Sequence, residues 1–157
     1  MVKTLTLCIV HTDTHILLGM KKRGFGVGRW NGFGGKVGIG ETIEDAARRE
    51  LREECGLEAE VLSRRGTLRF EFAASPEILD VHVFGVVKYR GEPVETEEMK
   101  PCWFRLTDIP FGKMWPDDRH WLPLYLEGKC LEGKFYFLDN DTLLHHTIHE
   151  QTIEHAV

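Results

Sequence analysis

Three carboxylates in one short segment, Glu50, Glu53 and Glu54, stand at i, i+3 and i+4 of a run that opens just after a glycine-rich stretch. Oxygen ligands grouped in that way suit a divalent cation. If the segment is helical, Ile43, Ala47, Leu51 and Cys55 form one apolar stripe at about 100° per residue, and Glu50 and Glu54 share its side. Burying such groups unpaired is costly, and like charges at i and i+4 repel. A hard cation with oxygen ligands relieves both penalties, and magnesium is the natural candidate. An ordinary acidic surface helix would place these glutamates on its charged face instead.

The elements that must position these groups follow from local chemistry. Thr42 and Asp45 read as an N-cap and its N3 partner, Gly56 as the C′ stop, and Glu44, Arg48 and Arg52 as the solvated face, while Arg49 can reach Glu53. Gly24 to Gly40 holds eight of the sixteen glycines and must be a loop whose backbone goes where side chains would block it. Neither common nucleotide loop fits it: Arg29 stands where a third glycine after Gly24 and Gly26 should be, and Val37 rather than Ser or Thr follows Lys36. What remains is bare backbone beside the carboxylates, able to offer the Gly34 carbonyl to a metal and amides to phosphate oxygens.

Around this centre, residues 3–10 and 15–21 read as a hairpin about His11 to Thr14, and residues 59–72 and 78–89 as strands separated by Ala73 to Pro76. A turn at Arg90 to Pro93 and a short strand from Cys102 to Leu106 come next, then a second helix from Asp117 to Leu126. Residues 134–138 and 142–150 pair across Asp139 to Asp141. Strands packed between two helices make an α+β domain, and 157 residues with 42% hydrophobic content make one domain with a genuine core. A net charge of −5 speaks against a nucleic-acid polymer or a membrane surface as partner, so an anionic substrate must be attracted locally. Cys8, Cys55, Cys102 and Cys130 lie far apart, which indicates neither a disulfide framework nor a zinc site. His145, His146 and His149 read as strand or tail residues rather than metal ligands. With no signal segment and no apolar run of membrane-spanning length, the expectation is a monomer in the cytosol, with the nucleus and mitochondrion as other destinations.

From Gly35 to Leu57 the chain resembles the Nudix box, G-x5-E-x7-R-E-U-x-E-E-x-G-U with U a bulky aliphatic, at every specified position: Gly35, Glu41, Arg49, Glu50, Leu51, Glu53, Glu54, Gly56 and Leu57. Gly38 and Ile39 occupy free positions where relatives commonly carry polar residues. The resemblance implies an α/β/α sandwich around a mixed sheet with two main helices, and a hydrolase of nucleoside diphosphates linked to another group, using magnesium, for which manganese can substitute. It extends through Gly19 to Gly26, Gly28 to Gly35, Val81 to Phe84, Pro101 to Phe104 and Met114 to Asp118, which look like the animal MutT-homologue enzymes acting on oxidised purine nucleoside triphosphates. Carried over residue by residue, it implies metal coordination by the Gly34 carbonyl, Glu50, Glu53, Glu54 and Glu98. Base contacts fall to Thr6, Asn31, Trp115, Asp117 and Asp118, with Lys21, Phe25, Phe33, Phe70 and Phe72 completing the pocket and Gly35, Lys36 and Pro116 beside it. Glu53 is the expected general base, with Glu98 the second candidate.

Each assignment has a plainer competitor. Phe70 and Phe72 alternate with Arg69 and Glu71, so both rings face one way, either into a pocket or into the core. Trp115 offers a flat stacking surface in a loop ahead of Pro116. Asp117 and Asp118 either cap the second helix or point into the pocket, where repulsion and burial would raise one pKa and leave a proton to donate. Asn31 and Thr6 could be ordinary turn and edge residues, and the choice of Glu98 over Glu97 rests on the resemblance. A Nudix enzyme for other diphosphates and a non-catalytic nucleotide-binding module are the alternatives.

Overall fold

The computed structural model describes residues 1–151. Strand β1, Val2–His11, turns back into β2, His15–Lys21, but the two pair only at Val10↔Leu17 and His11↔Ile16 before they diverge. The glycine loop fills the gap: Phe33 bridges to Cys8 and Lys36 to Leu5, after the two-residue strand β3, Trp30–Asn31, has paired with β2. Such close approach needs residues without side chains. A Cβ at Gly34 would sit 1.8 Å from the Thr6 carbonyl oxygen.

Helix α1, Ile43–Cys55, forms as its sequence dictates. Thr42 Oγ1 accepts from the Asp45 amide at 3.1 Å, and Gly56 ends the helix at φ 80°, a left-handed conformation that glycine adopts without steric cost. Ala47, Leu51 and Cys55 are fully buried against Cys8, Val10, Leu17 and Phe33 of the sheet. Helix α2, Asp118–Leu126, packs Trp121, Leu122 and Tyr125 against the other face, onto Ile9, Ile16, Leu18, Phe135 and Phe137. Alternate residues of β1 and β2 therefore feed two separate cores, as the two-residue period of a strand requires.

With β5 at Ser63–Phe72, β6 at Ile78–Val86, β8 at Met99–Arg105, β9 at Cys130–Asp139 and β10 at Thr142–Gln151, the main sheet runs β10-β9-β5-β6-β1-β2-β3, with β8 on β2. It is mixed: β1–β6 and β5–β9 are parallel and the other pairs antiparallel. An α/β/α sandwich results, as expected. Boundaries moved where local pattern misleads. The run 59–72 divides into β4, Glu58–Ala59, and β5, Ser63–Phe72, and the run 78–89 into β6, Ile78–Val86, and β7, Tyr89–Arg90; β4 and β7 form a small sheet of their own. Exposed Val87 and Lys88 break the burial pattern there. β8 starts at Met99, ahead of Pro101, because it pairs only with β2 and a proline is tolerated on such an edge. β9, Cys130–Asp139, is longer than its apolar stretch suggests, and β10, Thr142–Gln151, carries His145, His146 and His149. Short 3-10 turns at Leu106–Asp108 and Phe111–Lys113 lie in a stretch with no periodic signal.

All four cysteines are free, and only Cys102 is exposed. Among the described residues, no helix is long and apolar enough to cross a membrane. Leu51 is fully buried where α1 packs on the sheet, so Leu51→Ala is expected to lower unfolding free energy by about 3 kcal/mol. Urea denaturation of the two proteins measures that difference.

Candidate active site

Where β1 and β2 part, a cavity of about 530 Å³ opens. Its apolar lining comes from Leu5 and Leu7 of β1, Phe70 and Phe72 of β5, Leu79 and Val81 of β6, and Met99. Lys21, Phe25, Asn31, Gly34, Gly35 and Lys36 reach it from β2 and the glycine loop, with Thr6 beside them. Trp115, Asp117, Asp118 and Trp121 close one side, and Glu54 of α1 is also in its wall.

Five sequence-predicted residues lie outside this lining: Glu50, Glu53 and Glu98 of the expected metal set, and Phe33 and Pro116 of the expected pocket. Phe33 is fully buried in the α1-side core, because its backbone exchanges hydrogen bonds with Cys8 and its ring joins the cluster that includes Cys8. Pro116 faces a shallower cleft of about 720 Å³ shared with Arg119, His120 and residues of β10. Conversely, Met99, Trp121, Leu5, Leu7, Lys3 and Glu77 line the cavity without having been singled out. Strand parity alone put Leu5 and Leu7 on one face, but it could not say that this face is open.

At the α2 end, Asp117 and Asp118 are each 3% exposed. They do not cap the helix: Asp117 makes no side-chain cap bond, and its Oδ2 accepts from Trp121 Nε1 at 2.9 Å. Asp118 Oδ2 is the one buried side-chain oxygen or nitrogen among the described residues with no hydrogen-bond partner. Burial pushes the Asp117 carboxyl up to about 6, against the pull of Trp121 and Arg29. Burial and the charge of Asp117 push Asp118 well above the usual carboxylate range. Both shifts favour the protonated form, in which one carboxyl can donate while the other accepts.

Aromatic rings surround this end. Trp115 lies 4.9 Å from Phe25 at 31°, and meets Phe72 and Phe137 edge-on. Phe70 and Phe72 stack on Phe135 and Phe137, so they belong to the core and to the cavity at once. Asn31 Oδ1 accepts from the Gly32 amide at 2.8 Å, and the Thr6 hydroxyl makes one long bond of 3.4 Å to the Gly35 carbonyl.

At the α1 end, Glu54 is 5% exposed, and its Oε1 accepts from the Gly34 amide at 2.8 Å. Desolvation pushes its pKa up to about 7, opposed by the Gly34 amide and Lys21 and reinforced by the charges of Glu50 and Glu98. Glu50 lies against the bend, where a Cβ at Gly35 would come 2.6 Å from its carboxyl carbon. Arg49 ties the region together: it donates to both oxygens of Glu41 at 2.7 and 2.9 Å, to Glu50 at 2.9 Å, to Glu53 at 3.2 Å and to the Lys36 carbonyl at 3.1 Å. Those bonds and the Gly38 amide hold the Glu41 carboxyl down to about 2. Glu98 is gripped by Arg23 at 2.6 and 2.8 Å and by Lys21 at 3.3 Å, which keep its pKa below the usual value.

Among the described residues no three of His, Cys, Asp and Glu are gathered into a ready-made metal cluster. The residues nevertheless fit a hard cation. Glu54 is a buried carboxylate that feels Glu50 and Glu98, and the bend leaves room for Glu50 only because residue 35 has no side chain.

A mixed sheet between two helices, with a glycine bend facing an acidic helix, defines a hydrolase scaffold of one class. The NUDIX domain model matches residues 2–125, and the chain belongs to the Nudix family. More particularly, it is 54% identical to the mouse "Oxidized purine nucleoside triphosphate hydrolase" over 92% of this chain and 93% of that one. It is 52% identical to the zebrafish protein of the same name, over 94% of this chain and 95% of the other. In fold it is similar to a mutator MutT protein from Bacillus halodurans, with a TM-score of 0.82 and 24% identity over 93% of this chain and 97% of that one.

Because the folded-state pKa of Glu54 lies above its ordinary 4.5, the stability it contributes is present in acid and lost as pH rises through about 7. In chelator-containing buffer, Glu54→Gln is expected to be more stable than the native protein at pH 7.5 by about 3 kcal/mol, with the gap closing toward pH 4.5. Urea unfolding at both pH values measures it; parallel curves would contradict the burial assigned to this carboxylate.

Proposed function

We propose that the protein hydrolyses oxidised purine nucleoside triphosphates such as 8-oxo-dGTP and 2-oxo-dATP to the monophosphate and pyrophosphate, keeping them out of DNA. The observation that carries this reading is the buried Asp117–Asp118 pair, which lines an apolar cavity whose wall also contains Glu54. A single proton shared by two carboxyls can be presented from either one. Oxidised guanine and oxidised adenine offer different donor and acceptor edges, and moving that proton lets one pocket bind both. Trp115 adds a stacking surface worth about 1–3 kcal/mol per base. Thr6 and Asn31 contribute polar contacts, and Phe25, Phe70 and Phe72 exclude water.

Glu50, Glu54 and the Gly34 carbonyl, with Glu53 and Glu98, would hold magnesium or manganese, which when bound neutralises phosphate charge and acidifies a water. Glu53, the most exposed of the helix glutamates here and still within reach of Arg49, is the group to take the proton of the attacking water; Glu98 is the second candidate. Arg49 keeps Glu50 and Glu53 aimed from one guanidinium, and Lys21 and Lys36 draw the anionic chain to the site. No covalent intermediate is required. The same reading gives a cytosolic monomer working on free nucleotides.

A panel of 8-oxo-dGTP, 2-oxo-dATP, dGTP and ADP-ribose with magnesium tests the reading. The two oxidised triphosphates should be turned over fastest, with monophosphate and pyrophosphate released; preference for ADP-ribose would overturn it. Glu53→Gln should lower kcat by about 10²-fold or more with an unchanged melting midpoint. In Asp117→Asn the ratio of the two oxidised substrates should change, and unaltered rates on both would remove proton exchange from the account.

A further inference from the structure

Arg29 was given no role among the site residues, yet its side chain is only 19% exposed and its guanidinium carbon lies 4.3 Å over the Trp115 ring. It is tethered at every point. Its amide donates to the Gly26 carbonyl at 3.1 Å and its carbonyl accepts from Lys21 at 3.0 Å, while its guanidinium donates to the Asn140 carbonyl at 2.6 Å and to Asp141. The β9–β10 turn, whose residues line a different cleft, is thus joined through one side chain to the indole on which a purine would stack.

We propose that Arg29, held by Asn140 and Asp141, is a positioning residue for base recognition that fixes the plane of Trp115. A guanidinium over an indole is attracted to the ring quadrupole, more so when both are largely out of water, as here. The fork geometry matters as much as the charge: two donors fixed to the turn hold the guanidinium plane, which a single ammonium cannot reproduce. Arg29 also acts through space, because its charge opposes the rise in pKa of both Asp117 and Asp118. The other charged side chains lining the cavity are Lys3, paired with Glu77, Lys21 beside Glu54, and Lys36. Asp141 is 86% exposed and meets the guanidinium from the solvent side.

The inference rests on the proposed base pocket, and its test keeps the two separable. Arg29→Met retains bulk without charge or fork, and Arg29→Lys retains charge alone. With 8-oxo-dGTP, Arg29→Met should raise KM about tenfold and leave kcat within about twofold, because stacking is lost while the hydrolytic groups are untouched. Its kcat/KM profile should move to higher pH, since loss of the cation raises both aspartate pKa values; Arg29→Lys should keep the native profile while KM still rises. Fluorine NMR of the free protein labelled with fluorotryptophan, with Trp115 assigned through Trp115→Phe, should show the Trp115 resonance displaced in Arg29→Met. Native KM, native pH profile and an unmoved Trp115 resonance in Arg29→Met overturn the inference, as does a loss of kcat proportional to a fall in melting temperature. Failure of the native protein to hydrolyse 8-oxo-dGTP would instead strike the functional reading, while the resonance still reports on Arg29.

Discussion

The burial of Glu54 is the interaction around which the site is arranged. A carboxylate in the wall of a helix that packs on a sheet loses water, and it recovers only one amide, from Gly34, and the distant charge of Lys21. A proton or a further ligand lowers that cost. The glycine bend must then lie flush against the helix, and bare residues at 34 and 35 allow it. The parting of β1 from β2 follows in turn, since that bend has to be inserted between them.

Burial is used a second time, at the α2 end of the cavity. Around Glu54 it raises a carboxylate that the Gly34 amide and Lys21 pull back toward its charged form; around Asp117 and Asp118 it raises both carboxyls against the pull of Arg29. One amide and one ammonium face the first, indole rings and one guanidinium the second. The same desolvation therefore acts on both groups of acids, in surroundings of different chemistry. Arg49 and the Arg23–Lys21 pair hold the remaining glutamates in readiness at the periphery.

Helix α1 was legible to the residue level of its caps because Thr42, Asp45 and Gly56 act through contacts within a few positions of themselves. The inward turn of Glu54 was legible too, being a matter of helical period. Sequence could not show that Phe33 turns away from the cavity, since that depends on a bridge to Cys8 twenty-five positions earlier in the chain. For the same reason Pro116 and Trp115, adjacent in sequence, face different clefts. The contacts of Arg29 could not be read from its own neighbourhood: Trp115 lies in the loop ahead of α2, and Asn140 and Asp141 in the turn between β9 and β10. Strand edges blurred where pairing, rather than apolar alternation, decides length, as at Met99 and Cys130.

Beneath the acidic helix, Cys8 and Cys55 are shut away from solvent, and burial pushes their thiols up to about 12 and about 11. Peroxide attacks the thiolate, and at physiological pH these two sulfurs supply almost none of it. An enzyme that clears the debris of oxidative damage must keep working while the oxidant is still present. Here the sulfur chemistry nearest its carboxylates is held inert, and Cys102 at the surface is the thiol left open to alkylating or oxidising reagents.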